Sequence, residues 1–248
     1  SHRHTLNEMQ IPPDVTLNCP DTNITPAFTG QPFLTFLGRR YDLENNSICD
    51  ISAFYEDFPQ RLPCGDMRIK RLWEFFDFCT GTTEGPFVQN IYILDKTSPT
   101  IVCPAATLVS LSADTCYGLV DLPDAILSDV CSEIVSFQAF WTDNGLSRNL
   151  TGALGDFPGN DPLDKDTLGI MGSHLFPVGT TNINYVVEDS CGNIGNCTFN
   201  LTVADMSPPV ARCDTFSVLA LSLDGLLSRG AGLFDNGSTD DCTDLSFK

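Results

Sequence analysis

Basic residues are scarce in this chain. Thirteen Lys and Arg stand against 32 Asp and Glu in 248 residues, a formal charge of −19. A surface of that sign repels phosphate, which excludes nucleic acid as a partner and disfavours docking on anionic lipid. Long apolar runs are also missing. A membrane-spanning helix needs roughly 18 to 20 apolar residues, and the most apolar stretch here, FSVLALSLDGLL, is broken by Asp224; no membrane insertion is expected. Histidine is limited to His2, His4 and His174. There is no Gly-x-Ser-x-Gly elbow, no His-Glu-x-x-His zinc helix and no phosphate-cradling glycine loop. A pair of carboxylates is no sign of a glycosidase when 32 acids can supply it. The chain does not read as an enzyme. It begins at Ser1 without an export signal, and is expected to be a mature or excised piece.

Cysteine, by contrast, is plentiful. There are 11, and the spacings are long. Zinc sites use short Cys pairs, twice over, so the count points to disulfides in an oxidising compartment. The cysteines also measure a repeat. Cys19 to Cys49, Cys103 to Cys131 and Cys213 to Cys242 span 30, 28 and 29 residues. The joints agree: Asp95, Pro99 and Cys103 follow Asp-x3-Pro-x3-Cys, and Asp205, Pro209 and Cys213 repeat it. Module one is expected over residues 1–96, module two over 97–206, and the start of a third over 207–248.

Period-2 alternation predicts strands. Ile183, Tyr185 and Val187 share one face of their segment, and Phe199, Leu201 and Val203 share one face of theirs. No helical stripe competes. The fold class expected is all-β: tandem immunoglobulin-like β-sandwich domains, disulfide-stapled. Trp73 and Trp141 are expected in the cores. Equivalence between modules pairs Cys49 with Cys79 and Cys131 with Cys191. Cys103 opens module two and Cys197 lies on its last strand, so these pair as well. Cys19 with Cys64 completes module one and leaves Cys116 over. Cys213 and Cys242 are expected to need partners beyond Lys248.

Residues 144–173 are rich in Gly, Asn and Asp and read as a long inserted loop or an added hairpin. Asp156, Asp161, Asp164 and Asp166 there form a candidate Ca2+ site of hard oxygen ligands; a solvated acidic loop is the plainer alternative. Asp95 and Asp205 at the joints are a second candidate for a cation, against the reading that each only caps a turn. No other cofactor is expected. Sequons lie at Asn23, Asn45, Asn149, Asn196, Asn200 and Asn236; Asn200, Asn149 and Asn23 are the glycosylation candidates.

The stretch FPVGTTNINYVVEDSCGNIGNCTFNLTVAD resembles the hyalin repeat (HYR) family, an immunoglobulin-like module. Cys103-Pro104 and Cys19-Pro20 match its opening, and Phe176 to Thr181 match its Phe-Pro-Val-Gly-Thr-Thr. Asp189, Gly192, Asn193, Cys197 and Phe199 match its close. Module one departs there, with Thr80-Gly81 and no Cys-x-Phe. Module one and the tail are similar instead to repeats of long surface adhesins of gliding bacteria exported by the type IX system, through CDISAFYEDFPQRLPCG, IKRLWEFFDFC and FDNGSTDDC. The resemblance implies a secreted, cell-surface stalk and adhesive module, without enzymatic activity. Neighbouring repeats, surface glycans and other cell-surface proteins are its implied partners. The alternatives are a filament subunit completed by strand exchange and a carbohydrate-binding accessory region of a secreted enzyme.

Overall fold

The computed structural model describes residues 6–21, 23–43, 51–111, 115–152, 166–168, 172–225, 227–242 and 244–247. The protein is all-β. Before the Asp95–Pro99 linker the strands are β1 (Met9–Gln10), β2 (Val15–Asn18), β3 (Phe33–Phe36), β4 (Arg39–Asp42), β5 (Ile51–Arg61), β6 (Met67–Asp77) and β7 (Thr82–Leu94). After it come β8 (Thr100–Val102), β9 (Thr107–Leu111), β10 (Tyr117–Asp121), β11 (Ala125–Ser128), β12 (Ile134–Asp143) and β13 (Leu146–Thr151). The set closes with β14 (Asp166–Leu168), β15 (Ser173–Pro177), β16 (Gly179–Asp189) and β17 (Ile194–Asp205).

The first unit has a sheet in the order β2-β7-β6-β5 and a small sheet β1-β3-β4. Its apolar core is thin, centred on Leu6, Ile51 and Phe75. A polar network supplements it. Arg71 is fully buried. Its Nε and Nη2 donate to the two carboxylate oxygens of Asp57 at 2.7 and 2.8 Å, Nη1 donates to Thr29 Oγ1, and Nη2 also donates to the Ile24 carbonyl. The guanidinium lies 4.4 Å from the Tyr55 ring centroid, a cation–π contact. Buried Gln89 takes the Trp73 indole N–H and donates to the Pro13 and Thr29 carbonyls. Every buried polar atom needs such a partner.

The second unit has a larger core. The five-stranded sheet β13-β12-β16-β17-β9 faces β10-β15 and β14-β11-β8. Ile183, Tyr185 and Val187 on β16 and Phe199, Leu201 and Val203 on β17 all point into the shared core. Trp73 and Trp141 are both buried, one in each unit. Tyr185 closes the core at its rim by donating its hydroxyl to the Pro123 carbonyl, 2.6 Å.

Of the two readings of the segment from residue 144, loop or added hairpin, its described start is the hairpin. Asn144 and Gly145 adopt φ of 48° and 79°, the left-handed pair that a two-residue hairpin turn demands, and β13 then pairs with β12 from Asp143↔Leu146 to Gln138↔Thr151. The expected disulfides need correction. Cys131 is bonded to Cys19 and Cys191 to Cys64, rather than Cys131 to Cys191 and Cys19 to Cys64. Equivalent places in tandem repeats need not be partners, because a cysteine at the end of one unit faces the next unit as closely as its own. Cys103 is bonded to Cys197 within the second unit, and Cys116 to Cys242 in the tail. Cys242 therefore has its partner inside the chain. Cys49 lies outside the described residues, and with it the Cys49–Cys79 pairing.

The tail from residue 207 contains no strand among its described residues. It is held by bridges between Val210 and Thr239 and between Cys213 and Asp235, and by the Cys116–Cys242 bond.

Candidate functional site

The strand register brings the chemistry-bearing residues of both units to one joint. β2 runs parallel to β7 with Asn18 opposite Leu94, so Cys19 and Asp95 leave the sheet side by side. Met67 is opposite Ile93, which places the β5–β6 turn, with Cys64 and Asp66, at the same end. In the second unit Ile134 is opposite Asp189. The β11–β12 turn, with Asp129 and Cys131, and the β16–β17 turn, with Asp189 and Cys191, therefore meet at one end too. The two ends face each other and are joined by Cys19–Cys131 and Cys64–Cys191, with Cα–Cα distances of 6.0 and 4.9 Å.

Polar contacts reinforce the staples. Ser190 Oγ donates to the Cys64 carbonyl at 3.1 Å, and Asn193 Nδ2 to the Asp95 carbonyl at 3.3 Å. The backbones approach closely. A Cβ on Gly65, whose φ is +99°, would lie 2.8 Å from the Cys131 carbonyl oxygen, and one on Gly195 would lie 2.2 Å from that of Pro99. Only glycine fits a position that combines positive φ with such contact.

Among the described residues four aspartates stand two residues before a cysteine, and in each an Oδ1 accepts that cysteine's backbone N–H: Asp77 to Cys79, Asp129 to Cys131, Asp189 to Cys191 and Asp240 to Cys242, at 2.8 to 3.0 Å. These turns aim the cysteines. Asp95 does the same for Thr97, and Asp205 for Ser207. Asp95, Asp129 and Asp189 come together at the joint with carboxylate oxygens within 4.8 Å of one another. Asp95 and Asp189 are buried. Burial raises the Asp129 pKa above the ordinary value, against the N–H bonds from Ser132 and Cys131, and the charges of Asp95 and Asp189 add to the rise. Of the two groups of described residues suited to hold a metal ion, this is the one with free donors. In the other, Cys64, Asp66 and Cys191, the two sulfurs are bonded to each other.

Residues 164–203 match the HYR domain. That HYR match covers β14 to β17, the strands whose final turn carries Asp189, Cys191 and Asn193. Hyalin of Strongylocentrotus purpuratus is 24% identical over 215 residues, 84% of this chain and 15% of hyalin. The sushi, von Willebrand factor type A, EGF and pentraxin domain-containing protein 1 of Rattus norvegicus is 49% identical over 37 residues, 15% of this chain and 1% of the relative. The chain thus spans a small fraction of either relative's length. Among solved structures, a protocadherin gammaB7 EC3-6 cis-dimer aligns with 71% of this chain and 46% of its own at 9% identity and a TM-score of 0.28.

The other candidate residues are scattered. Asp156, Asp161 and Asp164 lie outside the described residues. Asp166 is on β14, opposite Leu127 of β11, and is not one of the three aspartates that come together at the joint. Asn200, Asn149 and Asn23 are all exposed; Asn200 accepts a hydrogen bond from Asn182. His174 packs edge-on against Trp141 and Phe176. Among the described residues no helix is long and apolar enough to cross a membrane. The signal for the joint that sequence reading missed was the recurring Asp-x-Cys.

Proposed function

We propose that this chain is a stiff spacer from the repeat region of a long extracellular surface protein, with adhesive contacts made by its exposed faces. The observation that supports it most is how the disulfides interlace. Followed by the shortest covalent path, the chain runs 18 residues from Ser1 to Cys19, crosses to Cys131, returns 15 residues to Cys116, crosses to Cys242 and ends 6 residues on. Stretched from its ends, even a fully unfolded oxidised chain spans only about 140 Å, against about 860 Å for the reduced chain. Tension can lengthen such a unit only within that limit. The HYR match and the hyalin relative agree with an extracellular, adhesion-type setting. The bacterial surface-protein setting implied by the resemblance of the first unit and the tail belongs to the same reading.

Single-molecule stretching tests it. Oxidised protein is expected to stop near 140 Å and to reach several times that after reduction; an oxidised chain that unravels to full length would remove the mechanical reading.

One observation favours carbohydrate binding as a second reading. Phe54 and Phe58 project from the edge strand β5 at 56% and 44% exposure, four residues apart on one face. Binding on a glycan array that disappears in Phe54→Ala/Phe58→Ala would establish it.

A further inference from the structure

We propose that Asp95, Asp129 and Asp189 bind a divalent cation of the Ca2+ class, held between the two units. The carboxylates come from both sides of the joint, Asp95 from the end of β7, Asp129 from the β11–β12 turn and Asp189 from the end of β16. No ion pair among the described residues involves them. Each is fixed through Oδ1 by backbone N–H groups: Thr97 on Asp95, Cys131 and Ser132 on Asp129, Cys191 and Asn193 on Asp189. Asp189 Oδ2 also accepts the Asn193 amide.

Those bonds orient the cluster without neutralising it, and one oxygen has nothing at all. Asp95 is 8% exposed, and its Oδ2 is buried with no hydrogen-bond partner. A buried carboxylate oxygen without a donor, beside two further carboxylates, is a strongly unfavourable arrangement unless a cation completes it. Ser132 Oγ, on the same turn as Asp129, is a second buried oxygen without a partner.

The donor set selects the ion. It is all oxygen, without imidazole or thiolate, which favours hard cations over zinc or copper. Ca2+ takes its ligands at 2.3–2.6 Å, so oxygens on one ion lie up to about 5 Å apart, and the 4.8 Å limit falls inside that reach. Mg2+ demands a tighter octahedron and retains its waters. The disulfides hold the two halves of the cluster in place before any ion arrives, and the site rests on this joint, independent of the mechanical reading.

The test is calorimetric titration of Ca2+ into the decalcified full chain, with Mg2+ as a control, and melting scans with and without Ca2+. The wild type is expected to bind Ca2+ at this joint and to melt higher in its presence. Asp95→Asn and Asp129→Asn keep the turn acceptors, and each is expected to weaken binding at least about tenfold and to abolish the Ca2+-dependent shift. Without Ca2+, Asp129→Asn is expected to melt no lower than the wild type, because a repelling charge has gone. Asp161→Asn/Asp164→Asn in the insertion is expected to leave the shift intact. The proposal is overturned by a wild type indifferent to millimolar Ca2+, by both joint variants binding as the wild type does, by Asp129→Asn losing equal stability in the two conditions, or by loss of the shift only in the insertion variant.

Discussion

Arg71 shows what a thin core asks of a single residue. Its guanidinium reaches Asp57, Thr29, the Ile24 carbonyl and the Tyr55 ring from a fully buried position. Removing one partner of such a pair leaves the other stranded. Arg71→Ala is expected to destabilise the first unit by about 3–5 kcal/mol in denaturant unfolding, and Arg71→Lys to recover little of it, since an ammonium cannot make the two-pronged contact to Asp57. Period-2 alternation puts Arg71 on the face of Ile69, Trp73 and Phe75, but nothing local in RIKRLWEFF names its partners, which the fold brings from Asp57, Thr29 and Ile24. Tyr185 is the second unit's counterpart. Burial raises its pKa well above that of a free phenol, with Asp124 adding to the rise, so the hydroxyl remains a donor to Pro123 at any physiological pH. Tyr185→Phe is expected to cost about 1 kcal/mol, and a melting temperature equal to that of the wild type would count against the bond.

At the level of elements, the strands were legible where one face is buried and the other wet. β16 and β17 alternate residue by residue, and the burial follows. β13 was not legible as part of the main sheet, because its residues are nearly all exposed and carry no apolar alternation; its pairing comes from the Asn-Gly turn and the partner strand. Gly65 tests the joint at this scale. Gly65→Ala forces a side chain into a positive-φ position 2.8 Å from the Cys131 carbonyl. Its strain is expected to be at least about 1–2 kcal/mol, read as a lower melting temperature of the oxidised protein. Gly145→Ala, with nothing within 4 Å, is expected to carry only the conformational part of that cost.

For the molecule as a whole, the joint is the distinguishing feature. Cys19–Cys131 and Cys64–Cys191 close separations of 112 and 127 residues, and a loop of that order is worth about 4.7 kcal/mol in the chain-entropy account. Non-reducing peptide mapping is expected to recover these two pairs, and a Cys131–Cys191 peptide would refute the joint. Cys64→Ser/Cys191→Ser is expected to lower the melting temperature and to widen the range of angles between the units in small-angle scattering. The sequence by itself determined the strand-rich class, the oxidised state and the net negative charge, because each is carried by composition or by neighbours a few residues apart. The Cys103–Cys197 bond within the second unit was legible too, but which cysteines bond across the joint, and which aspartates meet there, was decided only by the tertiary structure. Those contacts join residues dozens to more than a hundred positions apart, and strand register, which no local pattern encodes, sets where each turn arrives.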